Sequence, residues 1–511
     1  MFKIPQITSV LAVGVAFSST LCAEMATEVS QYGITWTFDK PQEVGQYVSG
    51  DYWVVGPVNV VSVTPQPGPS LSDAKDSSKS IYGATANVDD KSMRNGSMVN
   101  PGVQKSLRSQ GLDSRSKSYD ASLSVAFPVV LNPGDILLSS VSSEQYGAKD
   151  KLATPDVLGQ QRIFYKKPTG DYVVESAALL TCVTEAPAED AFRPPYAGTA
   201  RPAYYARNIQ WDKLPSLPAP ASMPQWETFE RVHERPWLEI PRSWLVQYFG
   251  PSLNGNGYGR EVSRMGNIAT LMLMTDAPRE QKEKLMYEII QWGIDLRSVI
   301  DSGEMFFSDG GWWQGRKWPI MFTSIMLDEP AMIDWPAIPA SDKRVMPSAA
   351  APHPTFVFQE DLDTYYGQGA EGQDTLWQMC WHTGPKPPYQ EKPKSEWTKM
   401  DKKSNNYCFI NSSTYVGTAL SALLMGAKAD WNHDAFFDYV DYWMSDENFQ
   451  EMPKWIPGKR TADPFVEDMW AMYRDQVPSQ DNGKDNWKFI WTDMHQRTGE
   501  WVENPKPAAI P

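Results

Sequence analysis

The sequence predicts a multidomain α+β protein, with an N-terminal β-sandwich-like domain over residues 27–185 followed by an incomplete (α/α) toroid of helical hairpins over 226–500. Three observations predict it. Before residue 185, β-branched and aromatic residues gather in short runs broken by turns; after residue 225 apolar residues recur at spacings of three and four; the stretch 186–225 between them has neither period.

The chain opens on "MFKIPQITSVLAVGVAFSSTLCAEM", with a cation at Lys3, an apolar run to Phe17 and small or polar residues to Ala23. Residues 1–23 read as a secretory signal peptide, because the apolar run falls short of the roughly 20 residues that span a bilayer. A secreted or periplasmic protein is therefore expected. Lipid attachment at Cys22 is disfavoured, since "STLC" lacks the small residue expected just before a lipidated cysteine. No second run of 18 apolar residues follows, so no transmembrane segment is expected after cleavage.

Four stretches carry the strand signal: "YGITWTFD", "YWVVGPVNVVSVTP", "ASLSVAFPVVLNPGDILLSSVSS" and "SAALLTCVTE". Between the second and third lies a Ser-, Asn- and Gly-rich loop, about 91–120, whose Arg94, Asn95, Asn100, Asp113 and Arg115 would serve either a surface insert or an arm over a neighbouring site. The 186–225 stretch is rich in Pro and Ala and reads as an interdomain linker laid along the surface. The helical period then begins. "YGREVSRMGNIATLMLMTDAP" and "REQKEKLMYEIIQWGIDLRSVID" form a hairpin joined at Pro278, and "RKWPIMFTSIMLDEPAMI", "STYVGTALSALLMGAKADW", "HDAFFDYVDYWMSDE" and "DPFVEDMWAMYRDQV" continue it. Residues 501–511 read as a C-terminal tail.

A net charge of −15 weighs against nucleic acid, which calls for concentrated Lys and Arg. It does not exclude an anionic substrate, which responds to the local field of a cleft. Cys182, Cys380 and Cys408 follow the signal, too few for a disulfide scaffold, though Cys380 and Cys408 could pair. The 21 Trp, 22 Tyr and 19 Phe suit either a large core or a groove whose rings stack on sugars.

Two clusters carry candidate chemistry. Arg260, Arg264 and Asn267 stand at i, i+4 and i+7 and share a helix face, where two guanidiniums and an amide suit a carboxylate. In "FFSDGGWWQGRKWP", Asp309 opens a glycine turn that can present Trp312 and Trp313 to a ring, and Arg316 and Lys317 follow as cations. Of five histidines, His233 and His382 are the base candidates; Tyr258, Tyr365, Tyr366 and Tyr415 are possible phenolic acids. The carboxylates open to hydrolytic chemistry are Glu304, Asp309, Glu360, Asp361, Asp363, Glu467 and Asp468. No G-x-S-x-G elbow, Walker loop, dinucleotide fingerprint or HExxH pattern occurs. No cofactor is expected, and a structural divalent cation is left open.

The segments "NGNGYGREVSRMGN", "DGGWWQGRKWP" and "NNYCFINSSTYVG", set after strand-rich material, resemble secreted carbohydrate-active proteins built on an α/α toroid, especially polysaccharide lyases. The resemblance covers about 225–500 at the level of architecture, with the strands standing before the helices instead of after them. It implies β-elimination from an acidic polysaccharide, with Arg260, Arg264 and Asn267 neutralising the C5 carboxylate, His233 or His382 taking the proton, and Tyr258 or Tyr365 protonating the leaving oxygen. A glycoside hydrolase using Asp309 with Glu467 or Asp468 on the same scaffold, and a noncatalytic glycan-binding or cell-surface protein, are the alternatives.

Overall fold

The computed structural model describes residues 23–68, 93–103, 107–116, 118–143, 173–241, 248–249, 251–255, 259–306, 313–337, 357–364, 367–368, 374–375, 406–444, 461, 463–477, 487–493 and 498–503. The signal-peptide reading lies outside these residues except at Ala23.

Eight strands come first: β1 Glu24–Gln31, β2 Ile34–Gln46, β3 Tyr52–Val55, β4 Val58–Thr64, β5 Ser97–Val99, β6 Val129–Leu131, β7 Ile136–Ser142 and β8 Val174–Val183. Where two facing sheets are expected, these strands form one curled mixed sheet in the order β5-β7-β8-β3-β2-β4-β6, with β1 beside β2. Only β3 and β8 run parallel. The curl can be read from one bond. Trp36 on β2 donates its indole N–H to Ser139 Oγ on β7 at 3.0 Å, although three strand spacings of about 4.8 Å separate those strands in a flat sheet.

The hairpin between β1 and β2 turns at Tyr32 and Gly33, with φ of 52° and 82°, the left-handed pair that a two-residue turn requires. Tyr32 holds this unfavourable conformation because its hydroxyl donates to the Glu234 carbonyl at 2.6 Å, tying the sheet to the helical part.

Alternation along β7 and β8 explains how the halves join. Leu137, Ala178, Leu180 and Cys182 face an inner core with Trp36, Val44, Val54 and Val60. Their neighbours Ile136, Leu138, Ala177 and Leu179 face the opposite way, into a core shared with Phe229, Val262, Ile289 and Phe322. Both faces of these strands are therefore covered, which is why "SAALLTCV" reads as a nearly continuous apolar run. Cys182 is a free, buried thiol.

The 186–225 stretch is irregular, yet it is not laid along the surface throughout, because Phe192, Arg193 and Tyr196 are buried. Arg193 joins the halves: its Nε donates to Asp51 Oδ2 at 2.6 Å, and Nη1 donates to Asp295 Oδ1 at 3.1 Å.

The helices are α1 Trp226–His233, α2 Gly259–Leu273, α3 Arg279–Asp301, α4 Lys317–Leu327, α5 Gln359–Asp363, α6 Asn406–Leu424, α7 Lys428–Trp431, α8 Asp434–Trp443 and α9 Pro464–Tyr473. Every residue of α2 is buried, as befits a helix covered by α3, α6 and α9. Pro278 stops one chain direction and opens α3, while Asp463 caps α9 by accepting from the Phe465 N–H. Short pairs β9 Ile240–Pro241 with β10 Tyr248–Phe249, and β11 Gly367–Gln368 with β12 Asp374–Thr375, interrupt the helices. A last antiparallel pair, β13 Trp487–Asp493 with β14 Thr498–Glu503, runs across the boundary drawn at residue 500. Its signal is the alternation of Trp487, Phe489 and Trp491. No described helix is long and apolar enough to cross a membrane.

Candidate functional site

The two clusters singled out in the sequence meet inside the helical part. On α2, Arg260 and Arg264 share a face as their spacing requires, but Glu261 lies between them. Arg260 Nε donates to Glu261 Oε1 at 2.9 Å, and Arg264 Nη2 donates to Asp463 Oδ2 at 3.2 Å. One turn on, Asn267 Nδ2 donates to the Thr414 carbonyl on α6 at 2.6 Å. Beside it, Gln314 Nε2 reaches the Thr414 hydroxyl at 2.8 Å, so α6 links α2 to the turn that precedes α4.

That turn is held by the acidic helix α5. The Trp313 N–H donates to Gln359 Oε1 at 2.7 Å, and the Gly315 N–H donates to Glu360 Oε1. Gly315 has φ 88°, and a Cβ there would stand 2.3 Å from the Ser263 Cα, so only glycine lets the turn lie against α2. Arg316 is fully buried and pairs through Nε and Nη2 with both Glu239 oxygens at 3.1 Å. Lys317 Nζ donates to both Asp361 oxygens at 2.8 Å and to the Trp431 carbonyl at 2.7 Å. Burial pushes the Lys317 ammonium down and the Asp361 carboxyl up, and their attraction opposes both shifts. Asp363 accepts from the Tyr415 hydroxyl at 2.8 Å and from Gln359 at 2.9 Å.

Glu360 differs from its neighbours. Its Oε2 is buried without a hydrogen-bond partner among the described residues, as are Gln314 Oε1, Asn267 Oδ1 and Ser263 Oγ. Burial, reinforced by Asp361, pushes the Glu360 carboxyl up to about 7 against its own backbone N–H, the Gly315 N–H and Lys317. At neutral pH this carboxyl exists in both protonation states, which is what a proton donor requires.

The structure thus brings together Arg260, Arg264, Asn267, Trp313, Arg316 and Lys317, but as buried and internally paired groups. An open pair of guanidiniums and an exposed Trp313 platform are expected from the sequence; Glu261 pairs with both arginines from the same helix, and the other partners come from distant segments. His233 stands elsewhere, at the end of α1 against the seam with the sheet, its ring 5.3 Å from Trp292 and 5.8 Å from Trp237. Tyr258, Asp309, Trp312, Tyr365, Tyr366, His382 and Cys380 lie outside the described residues. Glu467 accepts from Thr461 and Asp468 from Ser222. Glu304 pairs with Arg108 at 3.1 Å, which joins the 91–120 loop to the end of α3. In that loop Asp113 holds Arg115 at 2.8 Å and accepts from Ser142, while Asn100 bonds Asp135, so these groups brace the sheet. Glu239, Gln314 and Thr414 were not singled out by sequence reasoning, because nothing local distinguishes them from other polar residues.

No protein-family model, no curated protein and no solved structure matches this chain.

Proposed function

We propose that the chain is an exported glycan-cleaving enzyme of the carbohydrate-active, α/α-toroid kind, that its helical hairpins form part of such a toroid, and that Glu360 is the general acid of glycoside hydrolysis. The single observation that carries this is the Glu360 carboxyl: one oxygen is fixed by the Gly315 N–H and the other is buried without a partner among the described residues, as are oxygens of Gln314 in the same turn and of Asn267 and Ser263 on α2. A glycosidic oxygen brought to Oε2 would receive its proton as the bond to the sugar breaks, and the amide and hydroxyl oxygens would accept from sugar hydroxyls. Asp309, in the segment that leads into the Trp313 turn, is the carboxylate assigned to activate water.

Hydrolysis is preferred to elimination because Arg260, Arg264, Arg316 and Lys317 each already hold an internal carboxylate, leaving the substrate's acid to compete with it. Of the two bases assigned to elimination, His233 belongs to a different cluster and His382 lies outside the described residues. A neutral or weakly acidic polysaccharide is therefore the substrate class we favour.

The test is to incubate the signal-free protein with neutral and uronic-acid polysaccharides, following reducing ends and absorbance near 235 nm together. New reducing ends without absorbance, lost in Glu360→Gln, are expected. A rise in absorbance would overturn the hydrolytic assignment in favour of a lyase, and binding without product would leave a noncatalytic glycan-binding protein.

A further inference from the structure

Buried stripes on helices are ordinarily apolar, yet α3 turns Glu288, Gln291, Trp292 and Asp295, at i, i+3, i+4 and i+7, toward the seam with the sheet. The end of α1 and the turn after β2 meet this stripe and enclose a narrow slot of about 20 Å³, room for one water-sized group. Of the side chains around it, Asp51 is 4% exposed, His233 4%, Glu288 6% and Gln291 5%, so these four are at least nine-tenths buried, while Ser49, Glu234 and Arg235 are half-buried. Among the described residues Asp51 Oδ1, Glu288 Oε2 and Gln291 Oε1 have no hydrogen-bond partner, and on the His233 ring only the Met265 backbone is close enough to act, favouring the protonated form against burial. Leaving so many buried groups unsatisfied costs about 1–3 kcal/mol each, so the slot is built around an occupant.

The chemistry of the lining selects that occupant. Among the described residues three unpartnered oxygens belong to the slot's lining, the donors there include Trp292 Nε1, Arg235 Nε and the Trp237 indole N–H, and neutral His233 offers one donor and one acceptor. Arg193 is spent between Asp51 and Asp295, and Arg235 binds Glu234. Glu288 is left without a cation inside the slot; Lys284, which pairs with Glu230 at 3.2 Å, opposes the effect of burial, while Glu230 and Glu234 add to it. Water has two protons for these three oxygens. An ammonium group has more donors, its charge would draw the Glu288 carboxyl, which burial pushes well up, toward its ionised form, and it can sit beside the tilted rings of His233, Trp237 and Trp292. Among the described residues no group of three or more His, Cys, Asp or Glu side chains is arranged to hold a metal ion, which separates this site from a metal centre.

We propose that the slot between the sheet and α3 is a receptor for a primary ammonium group, either ammonium itself or the head of an alkylamine. The inference is independent of the glycan reading. Thermal unfolding and tryptophan emission of the signal-free chain are measured in ammonium, methylammonium, potassium, sodium and tetramethylammonium chlorides at a matched ionic strength of about 0.1 M. Ammonium and methylammonium should raise Tm and shift the emission saturably, and sodium and tetramethylammonium should do neither. Glu288→Gln, which keeps the shape, should weaken the response at least about tenfold, and Gln291→Met should weaken it independently, both with native circular dichroism. An equal response to all five salts would mean that water fills the slot. An equal response to potassium and ammonium would reassign it to a monovalent metal cation, and a full response in Glu288→Gln would also overturn the proposal.

Discussion

Glu360 shows how one residue couples stability to chemistry. Its carboxyl is held near 7 in the folded chain against an ordinary 4.5, so the folded state binds the proton more tightly. Its contribution is complete below about pH 4.5 and is lost as pH rises through about 7, on the order of 3 kcal/mol for a fully buried carboxyl. Asp295, pushed up to about 6, acts in part of the same window, so the informative quantity is the difference between wild type and variant. Glu360→Gln should flatten that part of the pH dependence in urea midpoints measured at pH 4.5, 5.5 and 7. It should also abolish the glycan cleavage proposed above, and under that proposal the wild-type rate should decline above about pH 7 as Glu360 loses its proton. At this scale the sequence was partly legible. The spacing of Arg260, Arg264 and Asn267 places them on one face, and Glu261 pairs with the arginines from the same helix, but Asp463 becomes a partner of Arg264 only when α9 packs beside α2.

Elements carry the geometry that those residues need. The turn before α4 lies against α2 because Gly315 has no Cβ, and Gly315→Ala would force a left-handed alanine into the Ser263 backbone. We expect it to destabilise the chain by about 2 kcal/mol or more and to reduce cleavage as Glu360→Gln does, because the Gly315 N–H would leave the carboxyl. A variant with normal cleavage would separate the turn from the site. Arg193 plays the corresponding part between Asp51 and Asp295. Arg193→Met leaves two buried carboxylates without their cation, and a loss of about 3–5 kcal/mol in urea unfolding is expected. The helices were the most legible elements, since α3 begins and ends where Pro278 and the apolar spacing place it. The segment that carries Arg193 was least legible: its prolines describe an extended backbone equally well on the surface or in a seam.

For the whole molecule the decisive feature is that Ile136, Leu138, Ala177 and Leu179 share a core with Phe229, Val262 and Ile289. The sequence marks a change of period near residue 225 and so suggests two bodies joined by a linker. Period alone cannot say what covers the second face of a strand, and "SAALLTCV" fits a strand buried on both sides by any neighbour. With the shared core, the sheet depends on the helices. The signal-free chain should therefore unfold in one transition, with calorimetric and van't Hoff enthalpies agreeing and with coincident fluorescence and circular dichroism. A fragment of residues 24–185 would expose the apolar face of β7 and β8 along with the unpaired carboxylate of Asp51, and it should bind an apolar dye and self-associate. Two separated transitions, or a monomeric fragment that excludes the dye, would show that the sheet is an independent domain and that the buried contacts of Arg193 and Tyr32 merely dock it.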